Sequence, residues 1–261
     1  MTAFELTRQH FCFHKKFLVS NLVSKNLKVK YRRSILGVFW TLLTPLLSAL
    51  VYFAVFQIVL KVQRENYLLV MISGVLAWNF FSQTVTEGVS HYVDNQNLIT
   101  KISLPLQAFN LSTAATNLVT LLAAIPIVIL VGIFMHVKPT LNLLALPPLI
   151  LALFLITYAC SIIVAILFVF LRDLRQVISL VLQLLFYATP ILYAPDMVPE
   201  KYRFILRFNP LTGLIPGIQA AFTGSLLNMA TIIEALAWSV ALTIVAMLMV
   251  KRMRRSVVEN L

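Results

Sequence analysis

Acidic side chains are scarce here, with nine Asp and Glu among 261 residues. A membrane enzyme needs clustered carboxylates, a histidine group or a nucleophile beside its base, and the sequence spells out none of these. Of the four histidines, His10, His14, His91 and His136, only the first two stand four apart, on an arm without a third ligand. A metal site is therefore not expected. The acidic DxD pattern that a metal-dependent glycosyltransferase would carry is missing as well. Seven glycines, none followed by lysine, leave no GxxxxGK[ST] phosphate loop, so ATP, if it drives this protein, is brought by another chain. Cys12 and Cys160 imply no disulfide framework. Ionisable groups barely enter the apolar runs, where Glu87 and Glu234 sit near the ends; this speaks against proton or sodium coupling.

Apolar residues, by contrast, make up 60% of the chain, and the mean hydropathy is +0.91. No soluble core of this size buries so much, which marks an all-α integral membrane protein. Uncharged runs that reach the ~20 residues needed to cross a bilayer lie at about 34–60, 67–86, 105–135, 140–170 and 176–195, and a sixth apolar run, with Glu234 near its start, lies near 229–250. The stretch 208–233 is also uncharged and raises a seventh crossing, which parity rejects. Arg8, Lys15, Lys16, Lys25, Lys28, Lys30, Arg32 and Arg33 precede the first run, and Lys251, Arg252, Arg254 and Arg255 follow the last. Basic residues stay on the cytoplasmic side, so both ends are expected there and the span count is even. Six spans place fifteen Lys and Arg on inner segments against six outside. Topology thus accounts for the net charge of +12, and nucleic acid is not expected as a partner. The N-terminal arm is polar and basic for over thirty residues and is expected to hold no cleavable signal.

Three segments are not simple spans. On a helix drawn from Phe17, residues Leu18, Val19, Leu22, Val23, Leu27 and Val29 share an arc opposite Asn21, Ser24, Lys25, Lys28 and Arg32, giving an amphipathic helix for the inner membrane surface. Asn26 and Lys30 intrude on the apolar arc, Lys30 with a stem long enough to snorkel. Next, VDNQNLITKISLP (93–105) falls in the cytoplasm between the second and third runs. Asp94 or Asn95 can cap a helix start, Leu98, Ile99 and Ile102 share a face, and Pro105 ends it. An apolar face on a polar stub points to docking in a groove of another protein. Finally, Pro190, Pro195, Pro199, Pro210 and Pro216 prevent a continuous helix between the last two spans. Asn209 followed by Pro210 reads as a helix start, giving short helices at about 199–208 and 210–222. Irregular backbone at membrane depth must be buried or line a wet cavity, so a re-entrant hairpin at the outer face is expected.

The aromatic content is 18 Phe, 8 Tyr and 3 Trp, accompanied inside the runs by Asn79, Ser82, Gln83, Asn110, Thr113, Thr116, Asn117 and Gln183. Rings stack on sugars while amides and hydroxyls bond their hydroxyl groups without fixed charge, a lining along which a glycan slides.

In order, NLKVKYRRSILGVFWTLLTPLL, ISGVLAWNFFSQTVTEGV, NQNLITKISLPLQAFNLS, FLRDLRQVISLVLQLLFYATPILY and RFNPLTGLI resemble the membrane subunit of ABC-2 type polysaccharide exporters. The likeness is strongest to O-antigen (lipopolysaccharide) permeases of the Wzm type, with capsule and teichoic-acid permeases as near relatives; exporters of small hydrophobic drugs share the fold. The resemblance implies a homodimer in the bacterial inner membrane, bound to two copies of a separate ABC ATPase that holds ATP and Mg. The implied cargo is undecaprenyl-diphosphate-linked O-polysaccharide moved from cytoplasm to periplasm. It implies an arm with an interface helix at 1–33 and a six-span domain at 34–261. Within that domain fall a coupling helix at about 93–104, with Asp94, Asn95, Gln96, Asn97, Leu98, Ile99 and Lys101 at the ATPase, and outer gate helices at about 195–223. Channel candidates on the first and fifth spans are Trp40, Tyr52, Phe53, Phe56, Phe186, Tyr187 and Tyr193. Lys30, Arg32 and Arg33 are candidates to meet the lipid diphosphate at the inner mouth.

Overall fold

The computed structural model of the chain describes residues 19–28, 30, 38–62, 64–101, 105–227 and 229–261. Among these the regular elements are all helices, without strands. Helix α1 (residues 19–28) precedes α2 (Val38–Phe53), which runs into a π-helical turn at Ala54–Val59. Then come α3 (Tyr67–Gly88), the short α4 (His91–Asp94) and α5 (Gln96–Lys101), and α6 (Gln107–Phe134). A 3-10 turn, Leu141–Ala145, leads into α7 (Leu146–Phe170), followed by α8 (Leu174–Ala188), α9 (Glu200–Arg207), α10 (Leu211–Thr223) and α11 (Met229–Glu259).

Among the described residues, five helical segments are long and apolar enough to cross a membrane: Trp40–Val59, Tyr67–Gly88, Gln107–Phe134, Leu141–Phe170 and Met229–Glu259. All five lie on expected runs. The remaining run, 176–195, becomes α8, whose 15 residues rise only about 22 Å against a hydrocarbon core of about 30 Å. Pro190 and Pro195 explain the early stop. A crossing at this position therefore includes the non-helical residues 189–194.

Helix α3 is the hub, packed against α2, α6, α7 and α10, with Leu69, Met71, Ser73, Ala77 and Thr84 all buried. Several polar side chains inside the bundle bond locally or across helices, as a lipid setting favours, although Asn110 Oδ1 and Gln219 Oε1 are buried without a partner. Ser73 and Thr157 return their hydroxyls to the carbonyls of Leu69 and Leu153. Asn110 on α6 donates to Ser161 Oγ at 2.8 Å and to the Ser161 carbonyl at 3.0 Å on α7. Gln219 on α10 donates to the carbonyls of Val70 (3.2 Å) and Ile191 (3.0 Å).

A second core gathers at one end of the bundle, where Tyr92, Ile99, Phe109, Ile166 and Val257 pack with Leu22 and Leu261. The arm, α4, α5 and the end of α11 thus share one end. At the opposite end α10 plunges into the core through Leu211, Leu214, Ile215 and Ile218. Asn209 Oδ1 accepts from the Leu211 amide at 3.0 Å while its Nδ2 donates to Thr189 Oγ1 at 2.8 Å, so one side chain starts α10 and ties it to the end of α8. Tyr202, Phe204, Ile205 and Phe208 on and after α9 stay exposed.

Candidate functional site

A groove of about 340 Å³ runs between α2, α3 and α8, lined by Ser48, Tyr52, Trp78, Asn79, Ser82, Thr86, Ser179, Gln183, Phe186 and Tyr187. Phe186 is its centre. Its ring lies 5.4 Å from Tyr52, 5.5 Å from Trp78 in an edge arrangement and 5.2 Å from Tyr187, all within the favourable range for aromatic pairs. Several polar donors are spent within their own helices. Ser48 bonds the Thr44 carbonyl, Asn79 Nδ2 the Val75 carbonyl and Thr86 the Ser82 carbonyl. Their oxygens keep lone pairs for hydroxyl donors entering the groove. Rings for stacking and oxygens for hydroxyls, with no formal charge in the lining, form a surface chemically suited to neutral sugars.

Three of the seven aromatic candidates, Tyr52, Phe186 and Tyr187, meet in this groove. Tyr193 adjoins it, donating to the Tyr187 carbonyl at 3.2 Å. Phe53 turns to Tyr67 instead, at 6.5 Å between ring centres, and Phe56 packs half-buried on the main core. Trp40 is 49% exposed and stands outside the groove. Trp78 joins the groove from α3, on neither the first nor the fifth run, and its one sequence signal is its place beside Asn79, an intramembrane amide.

The α4–α5 piece corrects one expectation. Leu98 and Ile99 do not present a common docking face: Leu98 is 38% exposed, whereas Ile99 is 6% exposed and anchors the second core. Ile99 belongs to the fold, leaving Leu98 with exposed Asp94, Gln96 and Asn97 as the outward surface. Ile102 lies outside the described residues, and Lys101 closes α5. Capping also differs. Asn95 donates its Nδ2 to the His91 carbonyl at 2.8 Å and Asp94 accepts from Ser90, while the Asn95 carbonyl receives the Leu98 and Ile99 amides.

Lys30, a candidate to meet the lipid diphosphate, bonds Asn117 Oδ1 at 2.8 Å and pairs with Glu87 at 3.6 Å. Arg32 and Arg33 lie outside the described residues. Nearby, His91 faces Thr113 at 2.7 Å, and burial lowers its pKa against the opposing pull of Glu87 and Asp94.

Residues 18–223 match the family described as ABC-2 type transporter. The chain belongs to the ABC-2 type transporter family. It is therefore a multi-pass membrane permease chain. This ABC-2 chain is 35% identical over 208 residues to the O-antigen export system permease protein RfbA of Klebsiella pneumoniae, spanning 79% of this chain and 80% of that relative. A protein of the same name from Myxococcus xanthus is 34% identical over 207 residues, 78% of this ABC-2 chain and 80% of its own length.

Proposed function

We propose that this ABC-2 chain is the permease of an ATP-driven exporter of lipid-linked O-antigen polysaccharide, acting as a homodimer with two copies of a separate ATPase. The observation that carries this reading is the 35% identity over 79% of the chain to a protein named as an O-antigen export permease. The uncharged, ring-lined groove supports it, because a small hydrophobic drug has no use for a row of hydroxyl-accepting oxygens. The end bearing α1, α4, α5 and the last turns of α11 is assigned to the cytoplasm, since the basic residues cluster there. Residues 1–33 then form the arm and 34–261 the six-span domain. ATP and Mg sit on the partner, which pushes on the exposed side of α4–α5 within 93–104. Helices α9 and α10, within 195–223, act as the gate at the periplasmic face of the inner membrane.

The test is genetic and chemical together. Loss of this chain, or of its ATPase partner, is expected to leave undecaprenyl-diphosphate-linked polymer inside the cell and strip it from the surface. Normal surface glycan in that strain would overturn the reading. Within it, Phe186→Ala removes the centre of three ring pairs, worth about 1 kcal/mol each in contact energy beyond burial. Polymer passage is expected to slow about fivefold, with dimer assembly unchanged by size-exclusion chromatography.

A further inference from the structure

Three helices meet around one charged knot. Lys30, just past α1, donates to Asn117 Oδ1 at 2.8 Å and stands 3.6 Å from Glu87 Oε1. Asn117, on α6, donates in turn to Glu87 Oε2 at 2.9 Å and to Thr84 Oγ1 at 3.0 Å. Gln83 donates to Glu87 Oε1 at 3.0 Å, so both carboxylate oxygens are held. The ring Lys30, Asn117, Glu87 closes on itself and joins α1, α6 and α3. A second tie, Asn26 to Ser112 at 3.4 Å, fastens α1 to α6 one turn away. Asn117 is 3% exposed, the Lys30 side chain 19% and the Glu87 side chain 37%, so the buried amide anchors the ring while solvent partly screens the charge pair. A cavity of about 430 Å³ opens beside the ring, with Lys25, His91, Asp94 and Thr113 in its lining; the ring adds a polar tie to the apolar contact that Leu22 makes farther back on α1. Its placement matters: Glu87 lies one turn before α4 begins, and Asn117 lies on the span that follows α5.

We propose that this ring is a transmission clamp, fastening α1 to both spans that flank α4–α5 so that a push on α4–α5 moves α1, α3 and α6 as one body. Lys30 and Glu87 are positioning residues in this scheme, acting through helix placement and not on cargo. Coupling of this kind is carried by packed and hydrogen-bonded chains between rigid elements. Only the transport readout below rests on the proposed exporter function.

The test is charge reversal and its repair, in the full chain in lipid nanodiscs. Lys30→Glu and Glu87→Lys each set like charges together, and amide hydrogen exchange over residues 19–28 is expected to quicken about tenfold. The double reversal, K30E with E87K, restores attraction, with Asn117 serving either arrangement by turning its amide over, and returns exchange to within about threefold of native. In the complex with the ATPase, the single variants are expected to hydrolyse ATP at the native rate while exporting about tenfold less glycan per ATP, and the double variant to recover. Glu87→Gln, which removes the charge at constant size, covers the case in which a reversal fails to fold; it too is expected to quicken exchange. Native exchange in Glu87→Gln overturns the clamp, as does a double variant that recovers neither readout while the singles remain folded. Should exchange follow the expected pattern while the native complex moves no glycan, the clamp stands and the cargo reading falls.

Discussion

Ile99→Asp is expected to yield no folded permease, while Leu98→Asp, one residue away, folds normally and loses export. The two side chains differ in surroundings, not in chemistry. Ile99 is 6% exposed among Tyr92, Phe109, Ile166 and Val257, so an aspartate there either buries a charge or must stay protonated. Adding the lost apolar burial, the cost is about 4 kcal/mol or more, a large part of the 5–15 kcal/mol that holds a typical protein folded. At Leu98, 38% exposed, the same substitution costs about 0.5 kcal/mol or less. Detergent extraction with size-exclusion chromatography measures the first effect. ATP hydrolysis and surface glycan, assayed side by side, measure the second. A monodisperse Ile99→Asp protein would refute the assigned packing, and full export by Leu98→Asp would remove this surface from the coupling path.

Gly88→Val is expected to be comparably severe. A Cβ at Gly88 would sit 2.0 Å from Ser161 Oγ and 3.1 Å from Ser161 Cβ, with Asn110 Nδ2 at 3.3 Å. The α3–α7 approach thus depends on a missing side chain. Gly88→Ala alone forces the helices apart or breaks the Asn110 bond to Ser161 Oγ, costing about 1–3 kcal/mol, and valine adds two more methyl groups in the same place. Repair is specific: Ser161→Gly in the Gly88→Ala background clears the clash and keeps the Asn110 bond to the backbone carbonyl, so thermal stability is expected to return most of the way. Gly132→Ala is the control, since its Cβ would meet only Leu69 at 3.4 Å. It is expected to be neutral or stabilising by up to about 1 kcal/mol. Equal losses at Gly88 and Gly132 would dismiss close packing as the cause.

Much of this was legible in the sequence because membrane helices must satisfy their own backbones. The apolar runs coincide with the long helices, and Asn209 starts α10 by accepting the Leu211 amide. The arm is instructive. Val19, Leu22, Val23 and Leu27 are half-buried while Ser20, Asn21, Ser24, Lys25 and Lys28 are exposed, as the arc required. The two polar residues that interrupt the arc, Asn26 and Lys30, are the ones that reach Ser112, Asn117 and Glu87. Periodicity shows which residues share a face but not what covers it. For that reason periodicity shows neither that Ile99 turns inward nor that Lys30 pairs with Glu87, fifty-seven positions along the chain. The same limit applies to Trp78, whose neighbours Tyr52 and Phe186 come from helices far away in sequence.

The wall formed by Tyr52, Trp78, Asn79, Gln183, Phe186 and Tyr187 contains no formally charged side chain. Under the proposed function, a polymer drawn along this wall would meet no fixed charge to hold one unit while the next waits, and ionic strength would have little to grip there.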